Sequence, residues 1–84
     1  MEKNIKVCLK SGLQARKAAQ FVQLASTFNS EIKIIKDKKA IEAKSIMGVM
    51  SIGIREGDEI TLSVKGEKEQ KALKALEDYL LNVE

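Results

Sequence analysis

Two short stretches carry the residues that could do chemistry, Gln14-Ala15-Arg16-Lys17 and Lys44-Ser45-Ile46-Met47. In the first, two adjacent cations stand near the start of a helical pattern. Positive charge there opposes the helix macrodipole by a few tenths to about 1 kcal/mol per charge. Arg16 and Lys17 are therefore either solvated charges or a docking point for an anion or carboxylate, assisted by free backbone N–H groups. Gln14 can donate and accept hydrogen bonds, but its amide is no phosphoryl nucleophile. In the second stretch, Ser45 is a good N-cap for the apolar run that follows. A phosphate on its hydroxyl would add about −1.5 to −2 charges, face free N–H groups and agree with the dipole. Such a modification should leave the fold intact and act through surface charge, repelling acidic partners and inviting Arg-bearing ones.

The rest of the composition narrows the chemistry further. The chain has no histidine, so the commonest general base, metal ligand and phosphoryl acceptor is missing. Its acids form no EF-hand pattern and its glycines no Walker-type loop. No metal site and no cofactor are expected, and the sequence argues against an enzyme. Cys8 is the only cysteine, which precludes an internal disulfide and suits a reducing cytoplasm; in an alternating apolar segment it reads as inert packing. The net charge of +3 is uneven, with nine Lys or Arg against three acids in residues 1–40 and six against nine in residues 41–84. That balance suits an acidic protein partner at least as well as nucleic acid. No basic run is interleaved with aromatic residues, and direct nucleic-acid binding is not expected. Neither a membrane span of about 18 apolar residues nor a secretory h-region is present.

These stretches must be positioned by the elements around them. Asn4–Lys10 alternates, with Ile5, Val7 and Leu9 on one face, and reads as a half-buried strand broken at Ser11-Gly12. From Ala15, the spacing of Ala18, Ala19, Val22 and Ala25, joined by Phe21 and Phe28, predicts a helix ended by Asn29-Ser30. Glu31–Ile35 and Lys39–Ala43 predict two strands around a tight Asp37-Lys38 turn. Ser45 then caps a short helix to about Ile52. Ile60, Leu62 and Val64 mark a fourth strand, and Glu67–Val83 a last helix whose stripe is Leu73, Leu76, Leu80 and Val83. Every strand alternates, so three helices must cover one face of one sheet in a two-layer α+β open sandwich over residues 1–84. The second helix is apolar nearly all round yet only about two turns long, so some of Ile46, Met47 and Met50 should stay exposed as an adaptable docking patch.

Read together, "GLQARKAAQFV" and "AKSIMGVMSI" resemble the histidine-containing phosphocarrier (HPr) family of the bacterial sugar phosphotransferase system, along essentially the whole chain. The resemblance implies a four-stranded antiparallel sheet of order 1-4-2-3 with three helices on one side. It places the family's phosphohistidine at Gln14, so His-dependent phosphotransfer should be lost, whereas the serine motif around Ser45 is intact. That combination is most similar to the family's catabolite-repression branch in bacilli. It implies phosphorylation of Ser45 by HPr kinase/phosphorylase. The phosphoprotein would then bind a LacI-family catabolite control repressor, with Arg16 engaging it near phospho-Ser45, Ile46, Met47 and Met50 docking it, and Lys17 and Lys44 beside them. The family's proline after the arginine is Lys17 here, which departs from the pattern at the first site.

Two other readings stand beside this one. The chain is either a diverged or His-to-Gln altered phosphocarrier, or a phosphorylation-independent binder of a metabolic enzyme. The alternating first strand followed by Ser11-Gly12 also permits a homodimer by strand exchange.

Overall fold

The computed structural model describes residues 1–10 and 12–82. Alternation in the strands aims Ile5, Ile32, Ile34, Ile60, Leu62 and Val64 at one face, and all six are buried. The register stacks them. Ile5 lies opposite Ile60, Ile32 opposite Val64 and Ile34 opposite Leu62. The strands are β1 (Glu2–Lys6), β2 (Glu31–Lys36), β3 (Lys39–Glu42) and β4 (Glu59–Lys65), all antiparallel in the order β1-β4-β2-β3. Helices α1 (Ala15–Ser26), α2 (Ile46–Ser51) and α3 (Glu69–Leu80) complete the α+β fold. Their inward stripes are Ala18, Phe21 and Ala25 of α1, Val49 of α2, and Ala72, Leu73, Leu76 and Leu80 of α3. With few aromatic residues, aliphatic side chains fill the core, each large one contributing about 1.5–3 kcal/mol on burial.

The first strand sits earlier than its alternation suggests. Val7 and Leu9 do point inward and are buried, but strand pairing stops at Lys6. Val7 gives its N–H to the Asp58 carbonyl at 2.8 Å and accepts from Gly57 N–H at 2.7 Å, while Cys8 N–H turns to the Leu80 carbonyl at 2.9 Å. Alternation reports burial, and here it outlasts the ladder. Glu2 and Lys3, without an apolar signal, are recruited by pairing with Ser63 and Leu62 of β4. Cys8 is half-buried, with its sulfur 3.5 Å from the Lys6 carbonyl.

Other boundaries shift for local reasons. Helix α1 ends at Ser26 rather than at Asn29-Ser30, because Thr27 and Phe28 close it with tight backbone bonds to Leu24 and Ala25. Phe28 packs on the core from beyond the helix. Asp37 and Lys38, at φ 51° and 68°, make the two-residue left-handed turn that matches strand twist. Helix α3 begins at Glu69, not Glu67, after Lys68 at φ 55°; the Glu69 carboxylate accepts the Gly66 N–H at 3.2 Å. Val83, assigned above to the stripe of the last helix, and Ser11, assigned to the break after the first strand, lie outside the described residues.

Candidate regulatory and docking site

Ser45 begins α2 with the extended backbone an N-cap needs, φ −107° and ψ 114°. Its hydroxyl accepts the Gly48 N–H at 3.2 Å, and its carbonyl accepts the Val49 N–H at 2.9 Å. Gly48 has an ordinary helical backbone. A methyl group there would sit 3.4 Å from the Ser45 oxygen. Glycine leaves that side of the hydroxyl open.

Helix α2 can bury one face only, and Val49 is the buried residue of the helix. Ile46, Met47 and Met50 are 39%, 77% and 48% exposed. The patch expected from the apolar run is therefore present, with Ser45 at its edge. Lys44, on the other side of Ser45, donates from its ammonium to the Phe28 carbonyl at 2.7 Å. A cation at that end of α1 agrees with the dipole.

The start of α1 contrasts with this. Gln14 is the N-cap residue, but its side chain makes no capping bond, and no acid occupies the first turn. Ala15 has φ 48°, a left-handed conformation costing roughly 1–2 kcal/mol for a residue with a Cβ. Long-range contacts hold it there. Leu13 is fully buried and gives its N–H to the Ile54 carbonyl at 3.1 Å. Gly12 has φ +63°, and a Cβ on it would lie 2.3 Å from the Ile54 oxygen. Lys17 donates its N–H to the Gln14 carbonyl at 3.1 Å, a bond that a proline in that place could not make. The Tyr79 hydroxyl lies 3.2 Å from the Lys17 carbonyl and 2.8 Å from the Gln20 amide oxygen. Turning that amide over satisfies both, with Gln20 donating to the hydroxyl and the hydroxyl donating to Lys17. Tyr79 thus ties the first turn of α1 to α3, a role its spacing concealed behind its ring's packing on Phe21 at 6.1 Å.

The geometry brings Ser45, Ile46, Met47 and Met50 together on one short helix, and Gln14, Arg16 and Lys17 together on another. It does not join the two groups. Leu13 bonds beyond the C-terminal end of α2, and Lys44 bonds beyond the C-terminal end of α1, so the helices run in opposite senses. Arg16 and Ser45 lie toward opposite ends of the pair, so Arg16 does not stand near Ser45 as the resemblance implied. Between the end of α2 and β4, Asp58 accepts the Lys36 ammonium and the Arg55 N–H, both at 2.8 Å, and Lys36 also reaches the Gly53 carbonyl at 3.0 Å. The Lys36 hydrogen bond, helped by the Arg55 N–H, holds the Asp58 carboxyl below its ordinary value. Among the described residues, no group of three His, Cys, Asp or Glu is placed to hold a metal ion, and no helix is long and apolar enough to cross a membrane.

Comparison with known proteins places the architecture. Residues 1–82 match the family described as PTS HPr component phosphorylation site. The chain is 57% identical over 76 residues to HPr-like protein Crh of Halalkalibacterium halodurans, covering 90% of each. It superposes on the crystal structure of phosphocarrier protein HPr from Bacillus anthracis with a TM-score of 0.93 at 49% identity, over 95% of each chain. A crystal structure of Crh from Bacillus subtilis, described as revealing a swapping domain in an intertwined dimer, gives a TM-score of 0.77 at 51% identity, over 90% of this chain and 87% of that one. The chain belongs to the HPr family.

Proposed function

We propose that this member of the HPr family is a non-enzymatic cytoplasmic regulator of carbon catabolite repression, one HPr-like domain over residues 1–84. HPr kinase/phosphorylase phosphorylates Ser45, and the phosphoprotein then acts as corepressor of a LacI-family catabolite control protein. The observation that carries this reading is the position of Ser45. Its oxygen caps α2 beside a side-chain-free glycine, at the edge of an exposed patch of Ile46, Met47 and Met50. Likeness to Crh supports it. Gln14 supports it from the other side, because a carboxamide at the family's phosphohistidine position offers no nucleophile for carrier chemistry. In this reading Ile46, Met47 and Met50 dock the repressor, Arg16 and Lys17 engage it at the far end, and Lys44 contributes through its exposed stem.

The phosphate would act on the surface more than on the fold. Ser45 already spends its oxygen on the Gly48 N–H, and a phosphoryl oxygen can accept that bond in its place. Incubation with the kinase and ATP, read by mass spectrometry, tests the first step. One phosphate on wild type and none on Ser45→Ala is expected, while an unmodified wild type beside a modified authentic HPr would sink the assignment.

The same experiment in two further arms separates the rivals. Equal capture of a metabolic enzyme by wild type and Ser45→Ala would favour a phosphorylation-independent binder. Robust phosphotransfer from enzyme I and phosphoenolpyruvate to Gln14→His would favour a recently altered carrier. A homodimer by exchange of β1 belongs to the same proposal, supported by the swapped dimer of Crh from Bacillus subtilis. Sizing by light scattering across a concentration series would show a dimer fraction, and a monomer throughout would remove it.

A further inference from the structure

Arg55 sits in the loop that receives the start of α1. A Cβ on Gly12 would lie 2.6 Å from the Arg55 Cα, and Leu13 bonds to the neighbouring Ile54 carbonyl. Its backbone N–H is committed to Asp58, whose carboxyl its positive charge also helps to hold ionised; among the described residues neither its guanidinium nor that of Arg16 makes a hydrogen bond or ion pair. Both side chains are exposed. The acids nearest in the chain are Glu56, on the same turn, and Asp58, whose carboxylate already holds Lys36 at 2.8 Å. Lys10, two residues before Gly12 in the chain, carries a further positive charge. Met50, 48% exposed, stands one turn before this loop on α2.

We propose that Arg55 joins Arg16 to form a carboxylate-binding end of the α2 docking surface, so that a protein reading phosphate at Ser45 also presents acidic side chains beyond the other end of α2. This deepens, and rests on, the reading of Ser45 given above. The phosphorylated surface is then bipolar. It runs from phosphate through the apolar residues of α2, a helix of six residues and about 9 Å, to two guanidiniums. Arginine suits the second pole because its planar fork takes a carboxylate in two parallel hydrogen bonds. The occupant is a protein surface rather than a small anion, because the apolar patch adjoins the cations and a partner covering one covers the other. Opposite charges at the two ends fix the direction in which the partner lies along α2.

Two arms test this separately from the Ser45 reading. Titrating 15N-labelled protein with hexaglutamate should shift the amides of Gly12 to Arg16 and of Arg55. Arg55→Ala should weaken that binding about threefold and Arg55→Glu about tenfold or more, with a shallower salt dependence. Both variants keep the backbone bond to Asp58; Arg55→Ala should melt close to wild type, and Arg55→Glu, which brings a carboxylate near Asp58, slightly below it. Shifts centred elsewhere, or affinity indifferent to Arg55, would overturn the proposal. In the second arm, protein phosphorylated on Ser45 should bind the catabolite control repressor about tenfold more tightly than phosphorylated Arg55→Glu. Equal binding would also overturn it. If phosphorylated wild type does not bind the repressor at all, the Ser45 reading fails, and the hexaglutamate arm still decides Arg55.

Discussion

The two helix starts of this molecule solve the same problem in opposite ways. Helix α2 opens on Ser45, whose oxygen accepts the Gly48 N–H with relaxed backbone angles. Helix α1 opens on Gln14, which caps nothing, and on Ala15, which is held left-handed. The first is stabilised locally by a side chain. The second is imposed from outside, by the burial of Leu13, the contact of Gly12 with Ile54 and the reach of Tyr79 from α3. A start that is locally stable can be covalently modified without loss of the fold. A start that is imposed keeps its shape only while its supports persist.

The largest break in this comparison should come from Gly12→Ala. The substitution combines a left-handed backbone with a Cβ driven into the Ile54 carbonyl, and is expected to cost about 3 kcal/mol or more. Thermal unfolding should fall by more than about 10 °C. A change of only a degree or two would mean that α1 is not held from outside. Ser45→Ala should cost about 1 kcal/mol through the lost cap, whereas Ser45→Asp keeps an acceptor and agrees with the dipole, and should stay within about 0.5 kcal/mol of wild type. Denaturant melts of the pair distinguish cap from bulk. Ala15→Gly works in the other direction: by relieving a left-handed alanine it should stabilise the protein by up to about 1 kcal/mol.

Gly48→Ala sharpens the contrast at the other helix. Alanine favours a helix interior over glycine by up to about 1 kcal/mol, so the protein should gain a few tenths of that. The new methyl sits 3.4 Å from the Ser45 oxygen, and the initial rate of phosphorylation should drop even as stability rises. A rate equal to wild type would show that Gly48 has nothing to do with access. The smallest effect concerns the Lys36–Asp58 brace beyond the end of α2. The hydrogen bond from Lys36 makes Asp58 ionise at lower pH folded than unfolded. Its stabilisation is complete above the ordinary value of 3.8 and is lost as pH falls through the lower, folded value. Asp58→Asn should therefore lower stability slightly at neutral pH and flatten the acid limb of the stability curve, measured by urea melts between pH 2 and 7.

The candidate Ser45 site was legible because its signals are local. A serine before an apolar run specifies a cap, and an apolar run too short to be buried on all sides specifies an exposed patch. The Asp37-Lys38 turn and the sheet's inward face were readable for the same reason, since alternation over a few residues decides them. What escaped depends on contacts distant in sequence. Nothing within "SGLQARK" shows that Ile54 presses on Gly12 or that Ala15 is left-handed. Lys44 binding the Phe28 carbonyl, Tyr79 reaching Lys17 and Arg55 lying beside Gly12 are equally invisible along the chain. The first strand misled for a related reason, because Val7 and Leu9 alternate into the core while Gly57, Asp58 and Leu80 take the backbone groups a ladder would use.

Regulation through Ser45 requires that charge there change the surface that a partner reads. Binding of the catabolite control repressor should be measured with the same preparation before and after phosphorylation of Ser45, at one fixed ionic strength. A phosphate meeting a cationic partner group through charge-assisted hydrogen bonds should tighten binding by about 100-fold, or roughly 2.7 kcal/mol. Equal affinity of the two forms would contradict it.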